Sequence, residues 1–209
     1  IGAPSPRRPR RTPVSADRAT KSTEELTVTV SGGSIGGLFT GLALDHAGHD
    51  VTVFEQSTGE LRSRGGGIVT QRAVERVLSG HCAVDIGRIT TTSERRYLDA
   101  DGGVRSRRAE SMTSTLWDAL YRALRDAVPD GRYHTGRRAV AVTPETAGAT
   151  FADGTERAAD LLVAAEGGQS ATRGQLFPDV SPEFAEYVAW RGLAPESTLP
   201  AAVVGAGLA

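Results

Sequence analysis

Residues 28–42 read VTVSGGSIGGLFTGL, a strand-type alternation that breaks into glycines and then into an apolar helical pattern. LTVTV at 26–30 alternates with period two. Ile35, Leu38 and Leu42 then fall on one helical face running to Ala47, where Gly48 supplies a helix end. DVTVFE at 50–55 reads as a second strand. Strand, helix and strand within about 30 residues form a βαβ unit, whose crossover is right-handed. A parallel sheet follows from that unit, and with it an α/β fold.

The turn has a chemistry of its own. A helix that starts in a tight glycine turn presents unpaired N–H groups and the positive end of its dipole to an anion. Gly32 makes the turn, Gly33 keeps it permissive, and Ile35 and Gly36 open the helix. Gly37 lets the helix lie close to the strand. The middle slot of the dinucleotide fingerprint, normally glycine so that backbone can approach a pyrophosphate, is Ser34 here. Serine is the smallest substitute with a donor. The glycines alone do not separate a cofactor cradle from a bare strand-to-helix turn.

Glu55 adds the missing direction. It ends the second strand, at the distance of about 20 residues where an acidic side chain accepts from ribose hydroxyls. A carboxylate there repels a 2′-phosphate. The pattern therefore points to the adenosine of NAD or FAD, not of NADP.

Composition excludes other classes. With 24 Lys and Arg against 25 Asp and Glu, the net charge is −1, which gives no electrostatic case for nucleic acid or a membrane surface. No apolar run approaches the roughly 18 residues needed to cross a bilayer. The one cysteine, Cys82, forms no disulfide framework and fits a reducing, cytoplasmic setting. The histidines His46, His49, His81 and His134 lack zinc-type spacing, so no metal site is expected.

Residues 1–24, rich in Pro, Arg, Ser and Thr, are expected to form a disordered basic tail. Beyond the βαβ unit, 56–68 reads as a loop and VTQRAVERVL at 69–78 as a short amphipathic helix. RRYLDADGGVRSRR at 95–108 reads as a hairpin around Asp101, Gly102 and Gly103. STLWDALYRALRDAV at 114–128 is the strongest helix, with Ser114 or Thr115 as cap. Trp117, Leu120, Tyr121, Leu124 and Val128 make its buried stripe. Residues 137–168 read as three strands, the last of them, 160–165, a buried parallel one.

Five segments, VSGGSIGGL, VTVFEQSTGELRSRGGGIV, LYRALRDAVPDGRYHTGRRAVAV, ADLLVAAEGGQSATR and YVAWRGLAPE, occur in this order. Together they resemble the single-component FAD-dependent aromatic hydroxylases, in the branch containing 2,6-dihydroxypyridine 3-monooxygenase, from about residue 26 to 196. The resemblance implies a Rossmann-like FAD/NAD(P)-binding domain of the ββα three-layer type at 25–175. It also implies the start of a second, mainly β substrate domain at 176–209.

By that resemblance Gly32, Ser34 and Gly37 match the pyrophosphate turn, where the branch often carries Ser, and Glu55 matches the ribose acid. Arg64, with Gly67 closing the triple glycine behind it, matches an arginine beside the flavin phosphates, and Arg122 a second FAD-contacting arginine. Glu166 and Gly167, followed by Ser170 and Arg173, occupy the family's Asp-Gly motif. Glu166 stands for the Asp and Ala164 for a preceding Gly, departures that put turnover in doubt more than binding.

The implied activity is hydroxylation of a small aromatic or heteroaromatic substrate with FAD, O2 and NADH or NADPH. No residue carries a motif for a catalytic base, and His134 and Tyr187 stay unassigned. The chain stops soon after EFAEYVAWRGL, which resembles the first strand of the substrate sheet. An N-terminal half is therefore expected, with a homodimer or a complementing C-terminal chain as partner. Two other readings stand beside this one, an inactive FAD- or nucleotide-binding fragment and, against the segments at 59–68 and 161–173, an NAD-dependent dehydrogenase.

Overall fold

The computed structural model describes residues 24–59, 61, 66–81, 90–188, 194–199 and 201. The basic tail up to residue 23, Arg64 and Cys82 lie outside the described residues.

A parallel sheet organises the molecule. Its strands are β1 (Thr27–Ser31), β2 (Asp50–Phe54), β6 (Tyr133–His134) and β10 (Leu161–Ala164), in the order β10-β1-β2-β6. Thr27 to Ser31 pair with Asp50 to Phe54 on one side, and Val28 to Ser31 with Leu161 to Ala164 on the other, all parallel. Helix α1 (Ile35–His46) makes the crossover from β1 to β2. It ends as the sequence requires: Gly48 takes φ +91° and its N–H donates to the Asp45 carbonyl at 2.9 Å.

Alternation along the strands builds two cores. Val28, Val30, Val51 and Val53 face α1 and α3 (Trp117–Ala127), packing with Leu38, Leu42, Leu120, Tyr121 and Leu124. Full burial of each such side chain contributes about 1.5–3 kcal/mol. Phe54 and Leu162 point the other way, onto Ala139, Ala149 and Phe151. That second layer is the antiparallel sheet of β7 (Ala139–Thr143), β8 (Gly148–Phe151) and β9 (Glu156–Arg157). Helices, parallel sheet and antiparallel sheet are the expected three layers. The free edge of β7 is held by α4 (Ala171–Leu176). Gln175 accepts from the Val142 N–H at 2.8 Å and donates to its carbonyl at 2.7 Å, as a neighbouring strand would.

A third sheet, β3-β5-β4, carries the hairpin. Its strands β4 (Thr90–Leu98) and β5 (Val104–Leu116) are longer than the sequence pattern indicated. Val69 and Thr70 belong to strand β3 (Gly67–Thr70), so helix α2 spans Arg72–His81 and not 69–78. Ser114 and Thr115 do not cap α3: they pair with Val69 and Ile68 in the β3–β5 ladder, and Leu116 precedes the helix. The β-branched Thr113 and Thr115 on either side of Ser114 favour ladder pairing over a cap hydrogen bond. The α3 stripe itself is as read, with Leu120, Tyr121, Leu124 and Val128 buried and Trp117 packed beside them.

The region 137–168 holds four strands, not three, because the turn at Asp153–Gly154 separates a short β9 from β8. Strand β10 is parallel to β1 but only half-buried, since it forms an edge of the described sheet. Residues 181–188 form no strand and lie exposed, with Phe184, Tyr187 and Val188 at 72%, 75% and 68% of full exposure. The rest of that expected substrate-sheet strand, 189–193, is outside the described residues.

Candidate functional site

At the carboxyl ends of β1, β2 and β10 lies a cleft of about 400 Å³. In open parallel sheets this is where ligands bind. Ser31, Gly32 and Ser34 come to it from the β1–α1 turn, Phe54, Glu55 and Gln56 from the end of β2, and Ala165 and Glu166 from beyond β10. Arg137, Arg138 and Ala139 close one side, while Leu61, Trp117, Gln169 and Ala171 complete the wall.

The glycine turn is pinned from several directions. Gly32 adopts φ +111°, and its N–H donates to the Phe54 carbonyl at 2.7 Å. A β-carbon at Gly32 would run into the Ala165 carbonyl, and one at Gly37 into the carbonyl of Gly32. At Gly33 it would stand 2.5 Å from the Tyr133 hydroxyl and 2.7 Å from the Glu55 β-carbon. Close approach between β1, α1 and the β10 loop therefore fixes these glycines. At Gly36, by contrast, an added β-carbon meets nothing. Ser34 sits at φ −81°, ψ −176°, extended backbone that any residue adopts, so glycine is not needed there. Its hydroxyl caps nothing, while its carbonyl accepts from Leu38 N–H at 2.9 Å. The preceding N–H groups of α1 have no acceptor within the helix.

Glu55 is buried, 4% exposed, at the mouth of this turn. One carboxylate oxygen accepts from the Gly33 N–H at 2.8 Å and the other from the Ser57 N–H at 2.8 Å. An ionised carboxylate offers about four lone-pair positions. Two thus remain for a ligand's hydroxyls. The Gly33 carbonyl in turn accepts from the Tyr133 hydroxyl at 3.0 Å, and that hydroxyl lies 3.5 Å from the hydroxyl of Tyr121. Burial, then the Tyr121 hydroxyl, push the Tyr133 phenol well above its ordinary range, which keeps it a donor. Sequence reading missed Tyr133: the two-residue strand that places it is too short to show periodicity.

Glu166 takes a different part from the ribose acid. It accepts from Ser31 Oγ at 2.8 Å, Ser170 Oγ at 2.6 Å, Thr172 Oγ1 at 2.8 Å and Thr172 N–H at 3.1 Å. Burial alone would raise its pKa, but the hydrogen bonds from Ser170, Ser31 and Thr172 outweigh it and hold the carboxyl below its usual value. With four donors on four lone-pair positions, the side chain ties the end of β1 to the start of α4. Arg173 bonds the carbonyls of Gly167 and Gly168 and fixes the same loop.

Of the residues expected at the site, Gly32, Ser34, Glu55 and Glu166 line the cleft. Gly33 and Gly37 shape it from behind, Ile35 is half-buried, and Gly36 is exposed in the first turn of α1. Gly167 caps the loop at φ +78° without lining the cleft, and Gly67 starts β3 with open space where a β-carbon would stand. Arg122 is set apart from these: it pairs with Asp118 one helical turn away and stays 54% exposed, outside the cleft. Its position on α3 opposite the buried stripe turns it to solvent. Trp117, read only as a core residue, is in the cleft wall, and Arg137 and Arg138, read only as the start of a strand, are on its rim. Among the described residues no group of three His, Cys, Asp or Glu could hold a metal, and no helix is long and apolar enough to cross a membrane.

Fold and cleft together define a dinucleotide-binding α/β domain of the ββα three-layer type. No protein-family model matches the chain. It is 35% identical over 170 residues to 2,6-dihydroxypyridine 3-monooxygenase of Paenarthrobacter nicotinovorans, covering 79% of this chain and 42% of that protein. It is 30% identical over 186 residues to the aurachin C monooxygenase/isomerase of Stigmatella aurantiaca, covering 80% of this chain and 47% of the other. Among solved structures, 2,6-dihydroxypyridine-3-hydroxylase from Arthrobacter nicotinovorans superposes with a TM-score of 0.69 at 31% identity, over 78% of this chain and 42% of that one. The chain is similar to these aromatic-ring monooxygenases over most of its own length and spans under half of theirs.

Proposed function

We propose that this chain is the FAD-binding part of a monooxygenase that hydroxylates an aromatic or heteroaromatic substrate, with NADH or NADPH as reductant and O2 as oxidant, in the cytoplasm. The observation that carries the reading is Glu55. Its carboxylate is held by Gly33 and Ser57 beside the glycine turn, with half its acceptor capacity left for vicinal ribose hydroxyls. The cleft residues fit an FAD. Gly32 presents bare backbone to the cleft, the first N–H groups of α1 and the Ser34 hydroxyl supply donors for a pyrophosphate, and Leu61 and Trp117 supply apolar wall.

Bound FAD would supply the redox step, taking a hydride from the pyridine nucleotide and passing an oxygen atom from O2 to the ring. This chain's residues bind and orient. Glu55 fixes the ribose, Tyr133 and Tyr121 keep the turn in place, and Glu166 locks the β10 loop against β1. Three features support the reading over a nicotinamide dehydrogenase: the kinship with aromatic monooxygenases, the loop at 166–173 and the cleft-lining Trp117. The saturated Glu166 carboxylate favours a second outcome, a chain that holds FAD without turning it over.

The test is reduction. FAD-loaded protein mixed anaerobically with NADH or NADPH should lose its flavin absorbance within seconds to minutes. On admitting 18O2 with 2,6-dihydroxypyridine or a related hydroxypyridine, one labelled oxygen should enter the ring. Protein that holds flavin but is never bleached would leave only the inert reading.

A further inference from the structure

Arg138 lines the same cleft as the ribose acid Glu55. The Arg137 N–H donates to the Glu55 carbonyl at 2.8 Å, and the Arg138 carbonyl accepts from the Ala152 N–H at 2.8 Å. The backbone at 137–138 is thereby fixed between the end of β2 and the β8–β9 turn, on the rim of the cleft. The two arginines then differ. Arg137 pairs with the Asp153 carboxylate and reaches Thr155 Oγ1 at 3.4 Å. Arg138 also lines the cleft, yet its exposed guanidinium makes no hydrogen bond or ion pair among the described residues. An arginine on the cleft rim with no protein partner among the described residues is free to meet a ligand bound there.

We infer that Arg138 lays its guanidinium plane against the adenine of the bound dinucleotide and so sets affinity for the adenosine half. The inference rests on the nucleotide reading of the cleft. A phosphate is the other natural partner of an arginine, but a 2′-phosphate at this end would meet the Glu55 carboxylate. A flat, weakly hydrated guanidinium stacks on aromatic faces, which a lysine ammonium does less well.

Competition against FAD, followed by flavin fluorescence, separates the outcomes. ADP-ribose and 2′-phospho-ADP-ribose are the competitors, with wild type, Arg138→Ala and Arg138→Lys as proteins. The expected result is a loss of about tenfold in ADP-ribose and FAD affinity for Arg138→Ala, with a smaller loss for Arg138→Lys. Thermal midpoints without ligand should be unchanged, because the side chain is exposed and unpartnered. Equal ADP-ribose affinity in wild type and Arg138→Ala overturns the inference while leaving FAD binding intact. A loss larger for the 2′-phosphorylated competitor assigns Arg138 to phosphate and overturns it as well. Wild type that binds neither FAD nor ADP-ribose refutes the nucleotide reading itself, and the inference with it.

Discussion

Two neighbouring glycines, Gly36 and Gly37, should respond to the same substitution with opposite signs. Gly37→Ala places a β-carbon against the Gly32 carbonyl and 3.3 Å from Val30 Cγ1. The first obstacle is backbone at the end of the central strand, so no side chain can swing away, and α1 must lift off β1. Overpacking of this kind costs about 1–3 kcal/mol, and the backbone obstacle places Gly37→Ala in the upper half of that range. Gly36→Ala meets nothing, while it removes some of glycine's helix penalty of about 0.5–1 kcal/mol. The two variants should therefore differ by about 3 kcal/mol. With a urea slope of about 2 kcal/mol/M, their unfolding midpoints should lie roughly 1.5 M apart, on either side of the wild type. Equilibrium urea unfolding followed by tryptophan fluorescence and circular dichroism measures this. Coincident midpoints, or Gly37→Ala at or above wild type, would refute the close strand–helix contact and with it the geometry of the turn.

Other perturbations separate structure from binding. The hydrogen bonds that hold the Glu166 carboxyl below 4.5 contribute stability that is present above that pH and lost as pH falls through the lowered value. Glu166→Gln should therefore flatten the acid limb of a stability–pH profile measured between pH 3 and 7; an unchanged limb would contradict the clamp. Arg122→Ala removes only an exposed pair within α3, so FAD affinity should stay within twofold and stability within about 0.5 kcal/mol; calorimetric titration checks the first and urea unfolding the second.

The parts of this molecule with strong local periodicity were legible in the sequence. The βαβ unit, Gly48 and the α3 stripe follow from patterns of period two and 3.6, and Glu55 from its place at a strand end. What misled was competition between local and tertiary preferences. Ser114 and Thr115 satisfy a cap pattern, yet their β-branched neighbourhood pairs with β3. Arg122 has the charge for a phosphate, but the stripe that buries Tyr121 turns it to solvent. Trp117 and Arg138 reach the cleft, and Tyr133 the turn behind it, only through the sheet order and the second layer, which no single segment encodes. Glu166 shows the same limit: its side chain proves to be held by Ser31, which is remote in sequence.

The central claim is that the cleft beside Glu55 holds FAD. Purified protein incubated with FAD and passed through gel filtration should retain flavin at one per chain, with its fluorescence quenched. Glu55→Ala, which leaves the Gly33 and Ser57 N–H groups without their acceptor, should lose it. Flavin that elutes free and fully fluorescent from the wild-type protein, or that binds Glu55→Ala as tightly as wild type, would contradict the account.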